Sequence, residues 1–268
     1  MRSSFSLVSL CALLTLSAGC APSNPGLHID GVLAPPMGGL CTIDASSNVF
    51  LGSGVLDTLS LRGMFIPDPA AFGPRYVANF RVSNHLINLF SDRYPLRADP
   101  NVMHLLAADI EIRNIDGLLT DFGDRTNFPN PFRVAAGGTI LSAASESPGL
   151  GITSVEIIPP GYAAQLGAMG VDGARLIASV RIIGRTTGDA AVQSAEYFFP
   201  IDICNSCLFF CAATAEDVST GCAFGQDVAS ALPPTTVLPE GTCPCSVNAD
   251  CGTSLVCNTM GACVPPPP

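Results

Sequence analysis

Apolar and polar residues alternate with a period of two along much of residues 27–203. In the segment Tyr76–Asn84, three apolar side chains face one way and three polar ones the other: Ala78, Phe80 and Val82 against Asn79, Arg81 and Ser83. The segment His104–Arg113 repeats the scheme, with Leu106, Ala108, Ile110 and Ile112 opposite Asp109, Glu111 and Arg113. A period of two predicts strands that bury one face.

Five further segments have a strand signature, and clusters of Pro, Gly, Asp and Asn separate them. They are Val55–Leu61, Phe132–Leu141, Ile152–Ile158, Arg175–Arg185 and Val192–Ile203. One short helical turn is predicted at Ala163–Met169. About seven to nine short strands with little helix favour an all-β fold, an antiparallel Ig-like β-sandwich over residues 27–203. A closed barrel is the alternative that fits the same pattern.

The first 26 residues are typical of export and lipidation. Arg2 supplies a positive charge, and the apolar run Phe5–Leu16 is shorter than the ~20 residues that span a bilayer, as in a signal peptide. Residues 16–20, Leu-Ser-Ala-Gly-Cys, resemble the bacterial lipobox, whose cysteine is acylated. The resemblance predicts a signal peptide at 1–19, a lipid on Cys20 and a tether at 20–26. Ordinary cleavage that leaves Cys20 as a thiol is the alternative.

Cysteine parity agrees with a lipid on Cys20. The chain has 12 cysteines; Cys11 leaves with the signal peptide and acylation consumes Cys20, which leaves 12 − 2 = 10. An even number suits disulfides in an exported protein. The predicted disulfide cysteines are Cys41, Cys204, Cys207, Cys211, Cys222, Cys243, Cys245, Cys251, Cys257 and Cys263.

The chain after residue 203 divides into four parts. Residues 204–225 are a cysteine cluster that closes the sandwich, residues 226–241 a linker, residues 242–264 a cysteine-rich module and residues 265–268 a proline tail. The module has too few apolar residues for a core, so disulfides must hold it. We favour Cys41 bonded within the 204–222 region, which leaves one bridge between cluster and module. The spacing of Cys204 and Cys207 also fits a redox pair or half a zinc site.

The charge balance excludes one class of partner. The chain carries 12 Arg, no Lys and 22 acidic residues, a net charge of −10. Loss of the signal peptide removes one Arg and no acid, which leaves 11 − 22 = −11. Nucleic acid repels such a chain, so no DNA or RNA partner is expected. The absence of Lys excludes Schiff-base chemistry and a phosphate-loop lysine.

Two carboxylates on one predicted strand raise the question of catalysis. Asp109 and Glu111 share a face, and paired carboxylates perform glycoside hydrolysis. Beside Arg113 and opposite Arg81, however, they more simply predict cross-strand ion pairs. We therefore predict no catalytic residue and no cofactor.

Other metal-binding or catalytic motifs are weak. The three histidines fall in separate segments, with no spacing that would place two on one metal: His28, His85 and His104. A loop rich in oxygen side chains offers candidate calcium ligands at Asp116, Asp121 and Asp124. Asp and Asn are also common turn residues, and a plain loop is the alternative.

Parts of the chain resemble known groups of proteins. The sequences Tyr76-Val-Ala-Asn-Phe, Ala108-Asp-Ile-Glu-Ile, Val155-Glu-Ile-Ile-Pro-Pro and Phe198-Phe-Pro-Ile-Asp-Ile-Cys-Asn-Ser-Cys207 resemble uncharacterised lipoproteins of myxobacteria-type proteomes. This resemblance covers most of residues 50–210 and implies the class and compartment, but no mechanism. The run Cys245–Cys263 is similar to Dickkopf- or colipase-like cysteine repeats, which implies disulfides.

These observations predict a membrane-anchored lipoprotein that acts as a non-catalytic binding or structural module. Residue 21 is Ala and not Asp, which by resemblance to enteric lipoproteins favours the outer membrane. The expected partners are the membrane, through the lipid anchor, and an envelope protein or glycan. The alternative is an envelope hydrolase that acts on polysaccharide or peptide with the carboxylates as its acid and base.

Overall fold

The computed structural model describes residues 26–35, 42–58, 74–88, 99–144, 147–205, 207–211 and 226–227, and five short stretches of strand up to residue 264. The signal peptide and the proline tail lie outside the described residues, as do Cys20, Cys41, Cys222, Cys243, Cys245 and Cys251. Only the backbone is described for Cys211, Cys257 and Cys263. The lipid anchor and most of the disulfides therefore stay predictions.

The described residues form a mostly β structure with one short helix. In chain order the elements are β1 (Leu27–Leu33), β2 (Phe50–Leu51), β3 (Gly54–Asp57), β4 (Tyr76–Asn84), β5 (Met103–Asn114), β6 (Phe132–Ile140), β7 (Gly149–Ile158), α1 (Pro160–Met169), β8 (Arg175–Thr186), β9 (Ala191–Gln193), β10 (Tyr197–Cys204), β11 (Phe209–Cys211), β12 (Ser230–Leu232), β13 (Val237–Leu238), β14 (Gly241–Thr242), β15 (Val256–Cys257) and β16 (Cys263–Val264).

The first sheet contains four antiparallel strands in the order β2-β1-β4-β7. Strand β4 has the bounds that the alternating pattern predicts, and its apolar residues Ala78, Phe80 and Val82 are fully buried. The pattern did not predict β1 and β2. In β1 a bulge between Ile29 and Gly31 interrupts the period of two.

The second sheet has the order β3-β10-β8-β5-β6, with β9 also paired to β8. It is mixed and curled into a half-barrel. The prediction of a purely antiparallel fold is wrong at one edge, because β3 runs parallel to β10, with Gly54 opposite Ile201. These two strands lie far apart in the chain, and strand direction in such a long-range pair is not encoded in local alternation.

The predicted face of one residue in β5 is wrong. Ala108, Ile110 and Ile112 are buried as expected, but Leu106 is 52% exposed. The register shifts between Leu105 and Ala107 against both neighbouring strands, which indicates a β-bulge. One extra residue reverses the alternation, so Leu105 points into the core in place of Leu106.

The segment predicted as one strand over Val192–Ile203 forms two strands, β9 and β10, joined through Ser194.

The predicted helical turn at Ala163–Met169 is part of α1, which begins three residues earlier. A proline at the first helical position and Gly170 in the left-handed conformation mark its two ends. No helix among the described residues has the length and apolar character to cross a bilayer.

Both sheets and the helix bury their apolar residues in one shared core. The core includes Phe80 and Val155 from the first sheet, Ile110 and Val180 from the second, and Tyr162 from α1. Because the inner faces meet in this core, the outer faces remain at the surface, where the polar residues of each strand lie beside a few exposed apolar ones such as Leu106 and Phe198.

Two residues from the C-terminal part tie the sheets together at one edge; Gln226 and Asp227 are called the clip below. Asp227 Oδ1 accepts from the Val55 amide of β3 at 2.8 Å, and Asp227 Oδ2 accepts from the Tyr76 hydroxyl of β4 at 2.6 Å. Gln226 bonds both backbone groups of Val77, at 2.8 and 2.6 Å. The predicted linker therefore begins with two residues docked on the body.

Close packing surrounds the clip. A Cβ at Gly54 would collide with the phenol of Tyr76, so glycine is required where the two sheets approach. Cys204, at the end of β10, is bonded to Cys207 in a disulfide, and Asp57 Oδ2 accepts from the Leu208 amide at 3.0 Å. Cys207 and Leu208, the first described residues after the body, are thus fixed to the same edge of the second sheet.

Candidate functional site

The outer face of the second sheet carries an open cavity of about 430 Å³, called the groove below. Six polar side chains line it: Asp109, Glu111, Arg133, Ser179, Arg181 and Glu196. Those from β5, β6 and β8 point outward because alternate residues of each strand face away from the core. The groove is therefore a consequence of the same alternation that builds the core.

Asp109 lies between two arginines in a row that crosses three strands. Strand register places it opposite Arg133 of β6 and opposite Arg181 of β8. The Arg133 guanidinium donates to both Asp109 oxygens, at 2.6 and 2.9 Å. Arg181 forms no ion pair with any residue that the structure describes. Because Arg133 is engaged with Asp109, Arg181 is the cation of the groove that is better suited to donate to a ligand.

A second row adds hydroxyl and carboxylate groups. Glu111 lies opposite Ser179 in the strand register, and the Ser179 hydroxyl donates to Glu196. Glu111 itself pairs with Arg113 on the same strand. On β10, Phe198 lies opposite Ser179 and is 57% exposed. An exposed aromatic ring therefore lies one strand away from the groove.

The electrostatics keep Asp109 ionised. The hydrogen bonds from Arg133 lower the pKa of the Asp109 carboxyl, and the charge of Arg181 acts in the same direction. The same pairing raises the pKa of Arg133. Asp109 is thus suited to accept hydrogen bonds or hold a cationic group, and it is poorly suited to donate a proton.

The predicted ion pairs are confirmed in part. Asp109 pairs across strands as expected, whereas Glu111 pairs with Arg113 on its own strand. The expected position of Arg81 is wrong, because β4 belongs to the other sheet and Arg81 there pairs with Asp30 at 3.0 Å. The sequence did not indicate Arg133 and Arg181 as the partners, because strand order decides which residues are neighbours.

The candidate calcium residues lie in the loop between β5 and β6. Asp121 accepts from Arg125 at 2.8 Å, and Asp124 accepts from the side chain and the backbone of Asn127. Hydrogen bonds from the Gly123 amide and then from Arg125 lower the pKa of the Asp121 carboxyl, and those from Asn127 lower the pKa of Asp124. Among the described residues, the oxygens of Asp116, Asp121 and Asp124 do not come together within the span of one cation. Asp121 lines a separate cavity of about 340 Å³.

One group of potential metal ligands does converge among the described residues. The ligand atoms of Asp57, Cys204 and Cys207 lie within 4.8 Å of one another. The two sulfurs are joined in a disulfide, so they offer no thiolate to a metal in this state. The Asp57 carboxylate meanwhile accepts from the Leu208 amide.

The structure brings together two histidines that the sequence separates. The rings of His28 and His85 meet edge to face, with centroids 4.7 Å apart. The sequence spacing did not predict this contact, which arises because β1 pairs with β4 and brings the two segments side by side. His104 is on β5 and contacts Thr139 and Thr187. The sequence did contain a signal for this contact in the spacings His28-x-Asp30 and Ser83-x-His85. It could have been used only if β1 had been predicted.

Comparison of the chain with models of known protein families, with curated proteins and with solved structures gave no match.

Proposed function

We propose that this chain is a lipid-anchored module of the bacterial outer membrane that binds an envelope glycan in the groove without cleaving it. The body serves in this proposal as an immunoglobulin-like β-sandwich, and the disulfide-rich tail as a brace on it. The observation that carries the proposal is the open row Arg133–Asp109–Arg181, in which Arg133 balances the charge of ionised Asp109 and Arg181 has no described ion-pair partner.

The chemistry of the groove suits a sugar. Neighbouring hydroxyl groups of a sugar can donate to a carboxylate and accept from a guanidinium, and the groove presents both within one row. Its volume of about 430 Å³ falls in the range of roughly 300–1,000 Å³ that is usual for small-ligand sites. Exposed Phe198 nearby offers an apolar surface for the C–H face of a sugar ring. The groove carries both positive and negative side chains instead of an excess of positive charge, which argues against a polyphosphate as its ligand.

Binding is favoured over hydrolysis by the state of Asp109. A glycoside hydrolase needs one carboxyl that remains protonated to donate to the leaving group, and that residue has a raised pKa. In the groove the hydrogen bonds from Arg133 lower the pKa of Asp109. The envelope hydrolase is therefore the less supported alternative, and it is kept as an outcome of the test.

The test measures binding of peptidoglycan strands and outer-membrane oligosaccharides to the full-length protein in detergent. We expect Arg181→Ala to weaken binding by ten-fold or more, because it removes the donors of the groove. Arg175→Ala is the matched control, since Arg175 forms a similar pair with Asp202 on the same sheet but outside the groove. Equal affinities of the two variants would contradict the binding site, and release of reducing ends would favour the hydrolase.

The anchor is tested separately. If Cys20 is acylated, Cys20→Ala should accumulate as an unprocessed precursor that takes up no labelled fatty acid. Cys11→Ala is the control, because a cysteine within the signal peptide should not affect labelling of the mature protein. Normal maturation of Cys20→Ala would contradict the lipid anchor and leave the glycan proposal intact.

A further inference from the structure

Four side chains form a polar cluster on the outer face of the first sheet, away from the groove. His28 lies opposite Ser83 in the pairing of β1 with β4, and His85 follows two residues after Ser83. Asp30 reaches the same cluster across the β1 bulge. The rings of His28 and His85 are both exposed and touch, with centroids 4.7 Å apart.

A chain of hydrogen bonds holds one of the two imidazoles. The Ser83 hydroxyl donates to Asp30 Oδ1 at 2.7 Å, so its oxygen can accept from His85 Nε2, which lies 3.2 Å away. This network places the proton of neutral His85 on Nε2 and leaves the Nδ1 lone pair for a ligand. The order carboxylate–serine–histidine is not that of a catalytic triad, in which the histidine stands between the other two.

The second oxygen of Asp30 is also occupied. Arg81 Nε donates to Asp30 Oδ2 at 3.0 Å, and the carboxylate is only 21% exposed. Arg81 is itself held by the Ser47 carbonyl and the Asn48 side chain, at 2.8 and 2.9 Å. Asp30 is therefore a fixed support that acts through Ser83. Metal-binding histidines commonly have such a support, because the ring nitrogen that does not bind the metal donates its N–H to a polar group of the protein.

We propose that His28 and His85 form a two-histidine surface site for a divalent transition metal, with Ser83 and Asp30 as its supporting groups. At a tetrahedral angle, two Zn–N bonds of ~2.0–2.1 Å hold their nitrogens roughly 3.3 Å apart. Two exposed rings with centroids 4.7 Å apart reach that separation through side-chain rotation. Imidazole ligands select Zn²⁺, Ni²⁺ and Cu²⁺ over Ca²⁺ and Mg²⁺, and Cu²⁺ binds most tightly in that series. This site is independent of the proposed glycan groove.

The experiment titrates Zn²⁺ and, separately, Cu²⁺ into the full-length protein in detergent, without a histidine tag, at fixed neutral pH. We expect His28→Asn and His85→Asn each to weaken binding at least ten-fold, and Cu²⁺ to show two coordinated nitrogens in its electron paramagnetic resonance spectrum. Asp30→Asn should weaken binding less, because it removes a support and not a ligand. His104→Asn is the matched control and should bind like the wild type.

Two results would overturn the site. One is unchanged Zn²⁺ affinity in both His28→Asn and His85→Asn. The other is an equal loss of affinity in His104→Asn, which would indicate binding elsewhere. Unfolding curves without metal check that the variants fold, and both altered histidines are exposed, so their stability should match the wild type.

Discussion

The clip and the groove are both built from carboxylate, hydroxyl and nitrogen groups, yet they place a carboxylate in opposite surroundings. In the clip, burial raises the pKa of Asp227, which accepts from Tyr76 and Val55 between the two sheets. In the groove, hydrogen bonds from Arg133 lower the pKa of Asp109, which faces solvent. The first arrangement closes the structure and the second leaves an open surface.

This difference separates residues that stabilise the fold from residues that can serve a ligand. The side-chain oxygens and nitrogen of the clip all have hydrogen-bond partners within the protein, and Gln226 is buried. The ion pairs of the groove lie at the surface, where such pairs contribute little to stability. Polar residues of the groove can therefore exchange partners with a ligand at small cost, whereas those of the clip cannot.

The largest expected effect is at Asp227. Asp227→Ala leaves the Tyr76 hydroxyl and the Val55 amide without their acceptor, and it places Ala at a φ of 57°. We expect the free energy of unfolding to fall by about 2–4 kcal/mol, measured by urea denaturation. Asp227→Asn is the control, because Asn tolerates a positive φ and keeps one acceptor. A wild-type stability for Asp227→Ala would show that the clip does not hold the sheets.

The two carboxylates should also respond to pH in opposite ways. The folded-state pKa of Asp227 is raised, so its stabilising contribution is present below about pH 4 and is lost as pH rises through that pKa. The folded-state pKa of Asp109 is lowered, so its contribution is present above about pH 4 and is lost as pH falls. The stability difference between wild type and Asp227→Asn should shrink as pH rises, while the difference for Asp109→Asn should shrink as pH falls. Parallel pH profiles would contradict the comparison.

A smaller effect is expected when the groove loses its central carboxylate. The Asp109 side chain is 35% exposed, so Asp109→Asn should lower the free energy of unfolding by less than ~1 kcal/mol. Glycan affinity should fall in the same variant, since the sugar hydroxyls lose the carboxylate to which they donate. A stability loss above about 2 kcal/mol would mean that the groove is a structural element like the clip.

The smallest effect is expected in the loop between β5 and β6. Asp121→Asn removes an exposed pair with Arg125, so the midpoint of thermal unfolding should not move measurably. Asn130→Ala is the informative contrast, because the Asn130 side chain bonds both backbone groups of Ile112 and the Thr120 carbonyl. If Asp121→Asn destabilised the protein as much as Asn130→Ala, the carboxylate would have a role beyond the turn.

Much of the fold followed from local pattern. Alternation predicted β4 with its bounds and most of β5 and β8, because side chains of a strand change face with every residue. It failed at Leu106 and missed β1, and in both places a bulge inserts a residue that shifts the period. The sequence also indicated the carboxylates of the groove, but not the arginines that face them.

The sequence by itself determined the β-rich class, the acidic charge and, outside the bulges, the residues of β4 and β5 that point away from the core, since each depends on composition or on near neighbours. Tertiary structure alone decided that β3 runs parallel to β10, that Arg133 and Arg181 flank Asp109, and that His28 meets His85. It also decided that the clip docks on strands 149 to 172 residues earlier in the chain. The physical reason is that strand pairing joins distant segments, and the free energy that selects one pairing resides in the complete core and not in either strand.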